Sequence, residues 1–194
     1  MRILVCLLSY LIGCFSSAYL MGKLFLKIDI RVHGSGNSGA TNAVRVMGKK
    51  FGIITFLLDF IKGIIAVLLG KLLLGDTGSL YAATFVIVGH NWPFYLNFKG
   101  GKGVSTSIGV FAVLNFPVAL LSVIIGISVG AISRYVSLGS LTFFFFFLIV
   151  TVLRDGFDNV GFLIIAILLG IIGIYRHKVN IERLLHGREN KIGG

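Results

Sequence analysis

Long apolar runs without charge constrain this chain more than any other feature of its sequence. The longest, from Val104 to Ser133, has thirty residues and no charged side chain, and 56% of the 194 residues are hydrophobic. A soluble domain of this length cannot bury so much apolar surface, whereas a helix needs about 20 apolar residues to cross a bilayer. We therefore predict an all-α integral membrane protein, with residues 1–194 in a single domain.

The apolar runs predict about seven transmembrane helices. The five clear spans are expected at Ile3–Gly22, Phe51–Leu74, Ser79–Leu96, Val136–Leu153 and Val160–Tyr175, with a turn at Gly75–Gly78 and the Phe143–Phe147 run facing lipid.

The thirty-residue run is long for one span and short for two full ones. Asn115, Phe116 and Pro117 stand in its middle, and proline disfavours helix at the residue before it. We expect two short helices that form a hairpin, and these helices need not cross the bilayer completely.

Basic residues lie on one side of these predicted spans. Fourteen lysines and arginines fall in the segments assigned to the cytoplasm, against three on the other side, which favours an external N-terminus and a cytoplasmic C-terminus. The net charge of +11 then reflects orientation and anionic lipid headgroups, so no nucleic-acid partner is expected.

The first polar segment, Lys23 to Lys50, is rich in small residues with hydroxyl and amide groups. Such groups can wrap closely around an oxyanion, and Arg45 can bind it through two parallel hydrogen bonds. The alternative is a flexible linker. The candidate ligands are Ser35, Gly36, Asn37, Ser38, Thr41, Asn42 and Arg45.

The second polar segment is a glycine-lysine loop, Lys99 to Gly103, after the third predicted span. Successive glycine N–H groups can point into one concavity that binds an anion, and a helix that starts next adds its positive end. A plain cytoplasmic turn with basic residues at the membrane surface is the alternative. Its candidate residues are Gly100, Gly101, Lys102, Gly103 and Ser105, with His90 nearby.

The third polar segment begins directly after the last predicted span. His177 can donate to a phosphate or move a proton near neutral pH, and Asn180 can form neutral hydrogen bonds or cap a short helix. Glu182 is expected to pair with a nearby basic residue. Within the second span, Asp59 and Lys62 stand three residues apart and are expected to form an intrahelical ion pair.

These three segments, GSGNSGATN followed by Arg45, then GHNWPFYLNFKGGKGVST, then HKVNIERL, resemble the PlsY family of bacterial membrane glycerol-3-phosphate acyltransferases. The resemblance covers essentially the whole chain. It implies transfer of a fatty acyl group from acyl-phosphate to the 1-hydroxyl of glycerol 3-phosphate, in the bacterial inner membrane, by an active site of cytoplasmic loops.

The same resemblance implies roles for individual residues. Ser35 and Arg45 are needed for activity, the glycines at 100, 101 and 103 form the glycerol-phosphate loop, His177 and Asn180 assist, and Glu182 maintains the structure. Lys102 and Arg45 suit stabilisation of the developing oxyanion. No metal or cofactor is expected, and a monomer is possible.

Two other classes of function fit the sequence less well. A transporter of phosphorylated metabolites needs basic groups at mid-membrane on broken helices, whereas nearly all of these lie in predicted cytoplasmic loops. A scaffold for lipid enzymes needs the basic loops only to bind the membrane surface. Acyl-chain preference and the acceptor of the hydroxyl proton, either His177 or a substrate phosphate, stay open at this point.

Overall fold

Helices are the only regular structure in the parts of the chain that the computed structural model describes, residues 1–155 and 159–192. The α-helices are α1 (Arg2–Cys14), α2 (Ser17–Met21), α3 (Ala40–Met47), α4 (Lys49–Asn91), α5 (Val104–Leu114), α6 (Phe116–Ser133), α7 (Val136–Asp155), α8 (Val160–Arg176) and α9 (Lys178–Leu185). Short turns of π- or 3₁₀-helix cover Gly22–Leu26, Ile30–Val32 and Phe94–Leu96.

The helices pack as two compact units, which meet in sequence between Leu114 and Asn115. In the first unit α1, α3 and α5 pack against α4, and in the second α7 packs against α6 and α8. Many large apolar side chains on the outer helix faces are exposed, as expected for a surface in contact with lipid. Among the described residues, three helices are long and apolar enough to cross a membrane, or up to five if each bent pair is one span.

Helix α4 reverses direction near its middle. Leu74 and Gly75 leave helical geometry, and Gly75 has φ +62°, which glycine adopts without strain. The backbones at Gly70 and Gly78 then approach so closely that a Cβ on either residue would overlap the carbonyl oxygen of the other. Residues eight apart in a straight helix are about 12 Å apart, so the two arms of α4 must run antiparallel. The predicted reversal at this point is confirmed.

The first predicted span, Ile3–Gly22, is not one continuous helix. Helix α1 ends at Cys14, α2 begins at Ser17, and the two axes are bent by 41°. The break exposes the Phe15 carbonyl oxygen, which accepts a hydrogen bond from Lys62 Nζ at 2.6 Å. A break inside a membrane is tolerated where other protein groups satisfy the backbone. The sequence around the break contains no proline, so no local signal indicates that the predicted span is bent.

The Phe143–Phe147 run does not face lipid as a whole. Phe143, Phe144 and Phe147 are buried, while Phe145 is exposed. Residues three and four apart share one helix face, so three of the five aromatic rings fill the interior of the second unit. Phe144 packs there against Gly173, where a Cβ would meet its ring at 2.6 Å.

The predicted break at Asn115 is confirmed. Asn115 leaves helical geometry with φ −155° and ψ 81°, and Pro117 stands in the first turn of α6, where its missing N–H costs nothing. Helix α5 has only 11 residues, whereas α6 has 18 and is long enough to cross a membrane.

Two helical glycines provide a matched test of the packing between the arms of α4. Gly70→Ala should lower the thermal unfolding midpoint in detergent micelles, because its Cβ meets Gly78 and overpacking costs about 1–3 kcal/mol. Gly170→Ala should leave the midpoint unchanged or raise it, because its Cβ meets no described atom within 4 Å and alanine favours helix. Equal effects of the two variants would contradict the hairpin.

Candidate active site

The first two polar segments lie together in the first unit. Arg31 Nη1 donates to the carbonyl oxygen of Leu96 at 2.8 Å, and Asn37 Nδ2 donates to that of Gly100 at 3.5 Å. Two stretches about 65 residues apart in sequence, each predicted separately to bind an anion, are therefore adjacent.

Arg31 is held in place by a paired carboxylate. Its Nε and Nη2 donate to Asp29 Oδ1 and Oδ2 at 3.0 and 2.7 Å, and its guanidinium carbon lies 4.9 Å from the centre of the Tyr19 ring. The hydrogen bonds from Arg31 hold the pKa of Asp29 below its ordinary value, and the same pairing raises the pKa of Arg31. The pair therefore stays ionised at neutral pH. Sequence reasoning did not single out either residue.

Asn42 organises the backbone of the first segment. Its Nδ2 lies 3.2 Å or less from the carbonyl oxygens of Ile30, His33 and Asn37, and its Oδ1 accepts from the Ser35 N–H at 2.8 Å. The side chain is buried and committed to the protein's own backbone. The structure thus gives Asn42 the task of shaping the loop, where the sequence had suggested contact with a substrate.

Different physical requirements apply to the glycines of the glycine-lysine loop. Only Gly103 has a positive φ, +81°; at Gly100 a Cβ would overlap the carbonyl oxygen of His90, and at Gly101 the His90 ring. The N–H groups of Gly100 and Gly101 donate to the carbonyl oxygens of Asn91 and His90 at 3.2 and 3.1 Å. The predicted nest of successive glycine N–H groups is therefore not formed by these two amides, which hold the loop onto the end of α4.

The start of α5 offers the donors that the two glycines do not. An α-helix leaves its first four N–H groups without intrahelical partners, and α5 begins at Val104, directly after the loop. Lys102 precedes it and is half-buried, as is Ser105, whereas Lys99 is exposed. The two lysines of the loop thus differ in environment.

The remaining predicted ligands of the first segment lie at or near its surface. Ser35 and Asn37 are half-buried, and Gly36, Thr41 and Arg45 are exposed. Arg45 stands in the last turn of α3. Its guanidinium can therefore reach a soluble anion.

Several buried polar atoms of this unit lack a hydrogen-bond partner within the described residues. They are Oγ of Ser38, both polar atoms of the Asn91 side chain, Oγ1 of Thr106 and Oγ of Ser107. Asn91 is fully buried, and its Oδ1 lies 3.0 Å from where a Cβ on Gly103 would be. Buried polar atoms rarely go unpaired, so this group points to a ligand or to ordered water. Ser107 lies outside the residues proposed from the sequence.

His90, proposed from the sequence as a substrate ligand, has only 6% of its surface exposed. Its ring lies between Lys62, whose Nζ is 2.8 Å from Nδ1, and Gly101. Lys62 also pairs with Asp59 at 2.9 Å, three residues earlier on α4.

The third polar segment belongs to the second unit. His177 is 2% exposed, and its Nδ1 lies 2.8 Å from the carbonyl oxygen of Gly173. A carbonyl oxygen only accepts, so Nδ1 carries a proton and a neutral His177 has its lone pair on Nε2.

Asn180 is bound by a carboxylate that sequence reasoning missed. Glu189 Oε1 accepts from Asn180 Nδ2 at 2.8 Å and from Ser137 Oγ at 3.1 Å. Glu182, which was expected to maintain the structure, is exposed on α9. Glu189 lies nine residues after Asn180 in a basic tail, a separation that carries no local signal.

Across residues 1–155 and 159–192, no group of three or more His, Cys, Asp or Glu side chains is placed to hold a metal ion.

The fold is that of an all-helical integral membrane protein, and two polar segments lie together in its first unit. A family model described as glycerol-3-phosphate acyltransferase matches residues 3–187, and the chain belongs to that family. The resemblance to the PlsY family is confirmed.

Individual relatives and structures agree with this assignment. Glycerol-3-phosphate acyltransferases of Thermoanaerobacter pseudethanolicus and Halalkalibacterium halodurans are 44% and 46% identical, over 98% and 95% of this chain and 96% and 92% of theirs. A crystal structure of PlsY, an integral membrane glycerol 3-phosphate acyltransferase, in its glycerol 3-phosphate form, is 36% identical with a TM-score of 0.93, covering 99% of this chain and 96% of that one. The lysophosphatidic acid form gives a TM-score of 0.89 at the same identity, covering 99% of this chain and 95% of that one.

The two glutamates of the tail should differ in their effect on stability. Glu189→Ala removes the acceptor of Asn180 and Ser137 and should cost about 1–3 kcal/mol, seen as a lower thermal midpoint in micelles. Glu182→Ala, at an exposed site, should change stability by less than about 0.5 kcal/mol. A larger loss for Glu182→Ala would restore the role that the resemblance implies for it.

Proposed function

We propose that this protein transfers a fatty acyl group from acyl-phosphate to the 1-hydroxyl of glycerol 3-phosphate, giving lysophosphatidic acid and phosphate. The observation that carries the proposal is the pairing, in one unit, of two polar segments suited to phosphate, joined through Arg31 and Asn37. Membership of the acyltransferase family and the ligand forms of the similar crystal structures support it.

The reaction needs positioning more than strong acid-base chemistry. The 1-hydroxyl oxygen attacks the acyl carbon, and the bond from that carbon to the phosphate oxygen breaks. Acyl-phosphate is a mixed anhydride whose phosphate is already a good leaving group. An enzyme that places two phosphates and a hydroxyl together, and stabilises the oxyanion between them, supplies most of what the reaction requires.

The polar segments of the first unit supply the cations and donors for this task. Lys102, the N-terminal amides of α5 and Ser105 suit the phosphate of glycerol 3-phosphate, and Ser35 and Arg45 suit the second anionic group. Ser38 and Asn91, with their unpaired polar atoms among the described residues, suit the remaining oxygens of the substrates. Gly100 and Gly101 are small so that the loop can pack against the end of α4.

A phosphate oxygen of a substrate is the proposed acceptor of the hydroxyl proton. His177, in the second unit, is the alternative that the sequence offers; in its neutral form the proton is on Nδ1, hydrogen-bonded to Gly173. Asn180, fixed by Glu189, is proposed to assist.

The proposed topology has seven spans with the N-terminus outside and the C-terminus in the cytoplasm of a bacterium, across its inner membrane. The spans are the bent pair α1–α2, the two arms of α4, and α5 to α8. Charge supports this orientation, with the three polar segments on the cytoplasmic side where glycerol 3-phosphate is dissolved. The acyl chain enters from the bilayer, and one copy of the chain suffices.

The acyl donor can be tested directly. The protein purified in detergent should convert acyl-phosphate and glycerol 3-phosphate to lysophosphatidic acid, and should not use acyl-CoA or acyl carrier protein. The expectation follows from the sequence, in which neither a nucleophile triad nor an H-x4-D motif is evident, so that a pre-activated acyl group is expected. Product is measured with radiolabelled glycerol 3-phosphate. Efficient turnover with acyl-CoA alone would show the donor to be wrong.

The two lysines of the loop separate substrate binding from membrane contact. Lys102→Ala should lose a charge-assisted hydrogen bond of about 1.5–3 kcal/mol, or roughly ten- to a hundredfold in kcat/KM for glycerol 3-phosphate. Lys99→Ala, at an exposed position, is the matched control and should lose less than about threefold.

Both lysine variants must first be shown to insert and to keep the thermal midpoint of the wild type. A folded Lys102→Ala variant with unchanged kinetics would remove the glycine-lysine loop from the active site.

A further inference from the structure

A buried ion pair lies beside the glycine-lysine loop, and the reaction proposed above makes no use of it. The side chains of Lys62 and Asp59 are 6% and 2% exposed, and His90, 28 residues after Lys62, is 6% exposed. Charged groups inside a membrane protein are costly to bury and tend to be found where they have a function.

Every proton of the Lys62 ammonium group has an acceptor. Nζ lies 2.6 Å from the Phe15 carbonyl oxygen, 2.9 Å from Asp59 Oδ1 and 2.8 Å from His90 Nδ1. Asp59 Oδ1 also accepts from the Ser17 hydroxyl at 2.9 Å. In its ion pair with Asp59 the Lys62 ammonium group can only donate, so His90 Nδ1 is the acceptor in that state.

That contact fixes the tautomer of His90. A neutral imidazole that accepts at Nδ1 carries its proton on Nε2. Nε2 is also the ring atom nearest Gly101, since a Cβ on Gly101 would overlap it. The Nε2 edge of the ring therefore packs against Gly101, and the His90 carbonyl oxygen accepts from the Gly101 N–H at 3.1 Å.

We infer that the Asp59–Lys62 pair holds His90 in the Nε2–H tautomer, and that His90 is a positioning residue which sets the glycine-lysine loop, and with it Lys102, for phosphate binding. The inference rests on the proposed function for the identity of the phosphate. This role would explain why Asp59 and Lys62 are buried within the helices, and why residue 101 is a glycine.

Two substitutions at His90 distinguish its effect on the position of the loop from its role as a hydrogen-bond acceptor for Lys62. His90→Asn places an oxygen near the position of Nδ1 and keeps an acceptor for Lys62, but it is too short to reach the loop. His90→Gln places an amide near the position of Nε2 and keeps a donor to the loop.

Kinetics with acyl-phosphate and varied glycerol 3-phosphate give the first readout. His90→Asn should raise KM for glycerol 3-phosphate about tenfold with a smaller change in kcat, because a displaced loop weakens ground-state and transition-state binding alike. His90→Gln should stay within about threefold of the wild type. Wild-type KM in His90→Asn, or equal increases in both variants, would overturn the inference.

Hydrogen exchange in the substrate-free protein gives a readout that is independent of activity. The amides of residues 98–104 should exchange faster in His90→Asn than in the wild type, and at the wild-type rate in His90→Gln. If satisfying Lys62 were the only role of His90, the order of the variants would reverse, which would overturn the inference. A wild-type protein that cannot acylate glycerol 3-phosphate would refute the proposed function, while the exchange result would still test the positioning of the loop.

The tautomer can be observed directly by ¹⁵N NMR of histidine-labelled protein in micelles. The His90 signals, identified by their loss in His90→Gln, should show the Nε2–H form in the wild type. Lys62→Met removes the donor to Nδ1 and should abolish the preference. An Nδ1–H form in the wild type would overturn the inference.

Discussion

An ammonium group buried among apolar helices must find an acceptor for each of its three protons, and Lys62 finds them on three separate parts of the chain. The Phe15 carbonyl oxygen is available only because the first span breaks after Cys14. Asp59 lies one turn away on the same arm of α4, and His90 lies on the other arm. Leaving any of these contacts unmade would cost more free energy than an exposed ion pair contributes, because the ammonium group would stay buried without a partner. One side chain thus links the break in the first span, the pairing of the two α4 arms and the loop that follows them.

The glycine-lysine loop shows two physical uses of glycine side by side. Gly103 needs its positive φ, whereas Gly100 and Gly101 are pressed against the end of α4, where a Cβ has no room. Their N–H groups donate to the carbonyl oxygens of Asn91 and His90, and these hydrogen bonds hold the loop against α4. The donors proposed for an anion are Lys102 and the first turn of α5, whose N–H groups have no intrahelical partners. A rigid loop that presents a helix N-terminus costs less to order on binding than a flexible glycine linker.

The two glutamates of the tail lie in different environments. The resemblance assigned the structural role to Glu182, which is exposed, while the carboxylate that binds Asn180 and Ser137 is that of Glu189. Which acidic side chain turns inward depends on where the tail lies against α7, and this cannot be read from spacing.

Hydrophobic composition by itself determined that this chain is a helical membrane protein. A long apolar run in a bilayer must satisfy its own backbone hydrogen bonds, and a helix does so. Local residue types also determined the breaks at Gly75 and Asn115, and the order of three polar motifs determined the family. Only the tertiary structure decided that the first span breaks, that three phenylalanines of the Phe143–Phe147 run turn inward, and that Asn42 shapes the loop. In each case the stabilising partner lies far away in sequence or depends on which helix face is covered, and neither follows from local pattern.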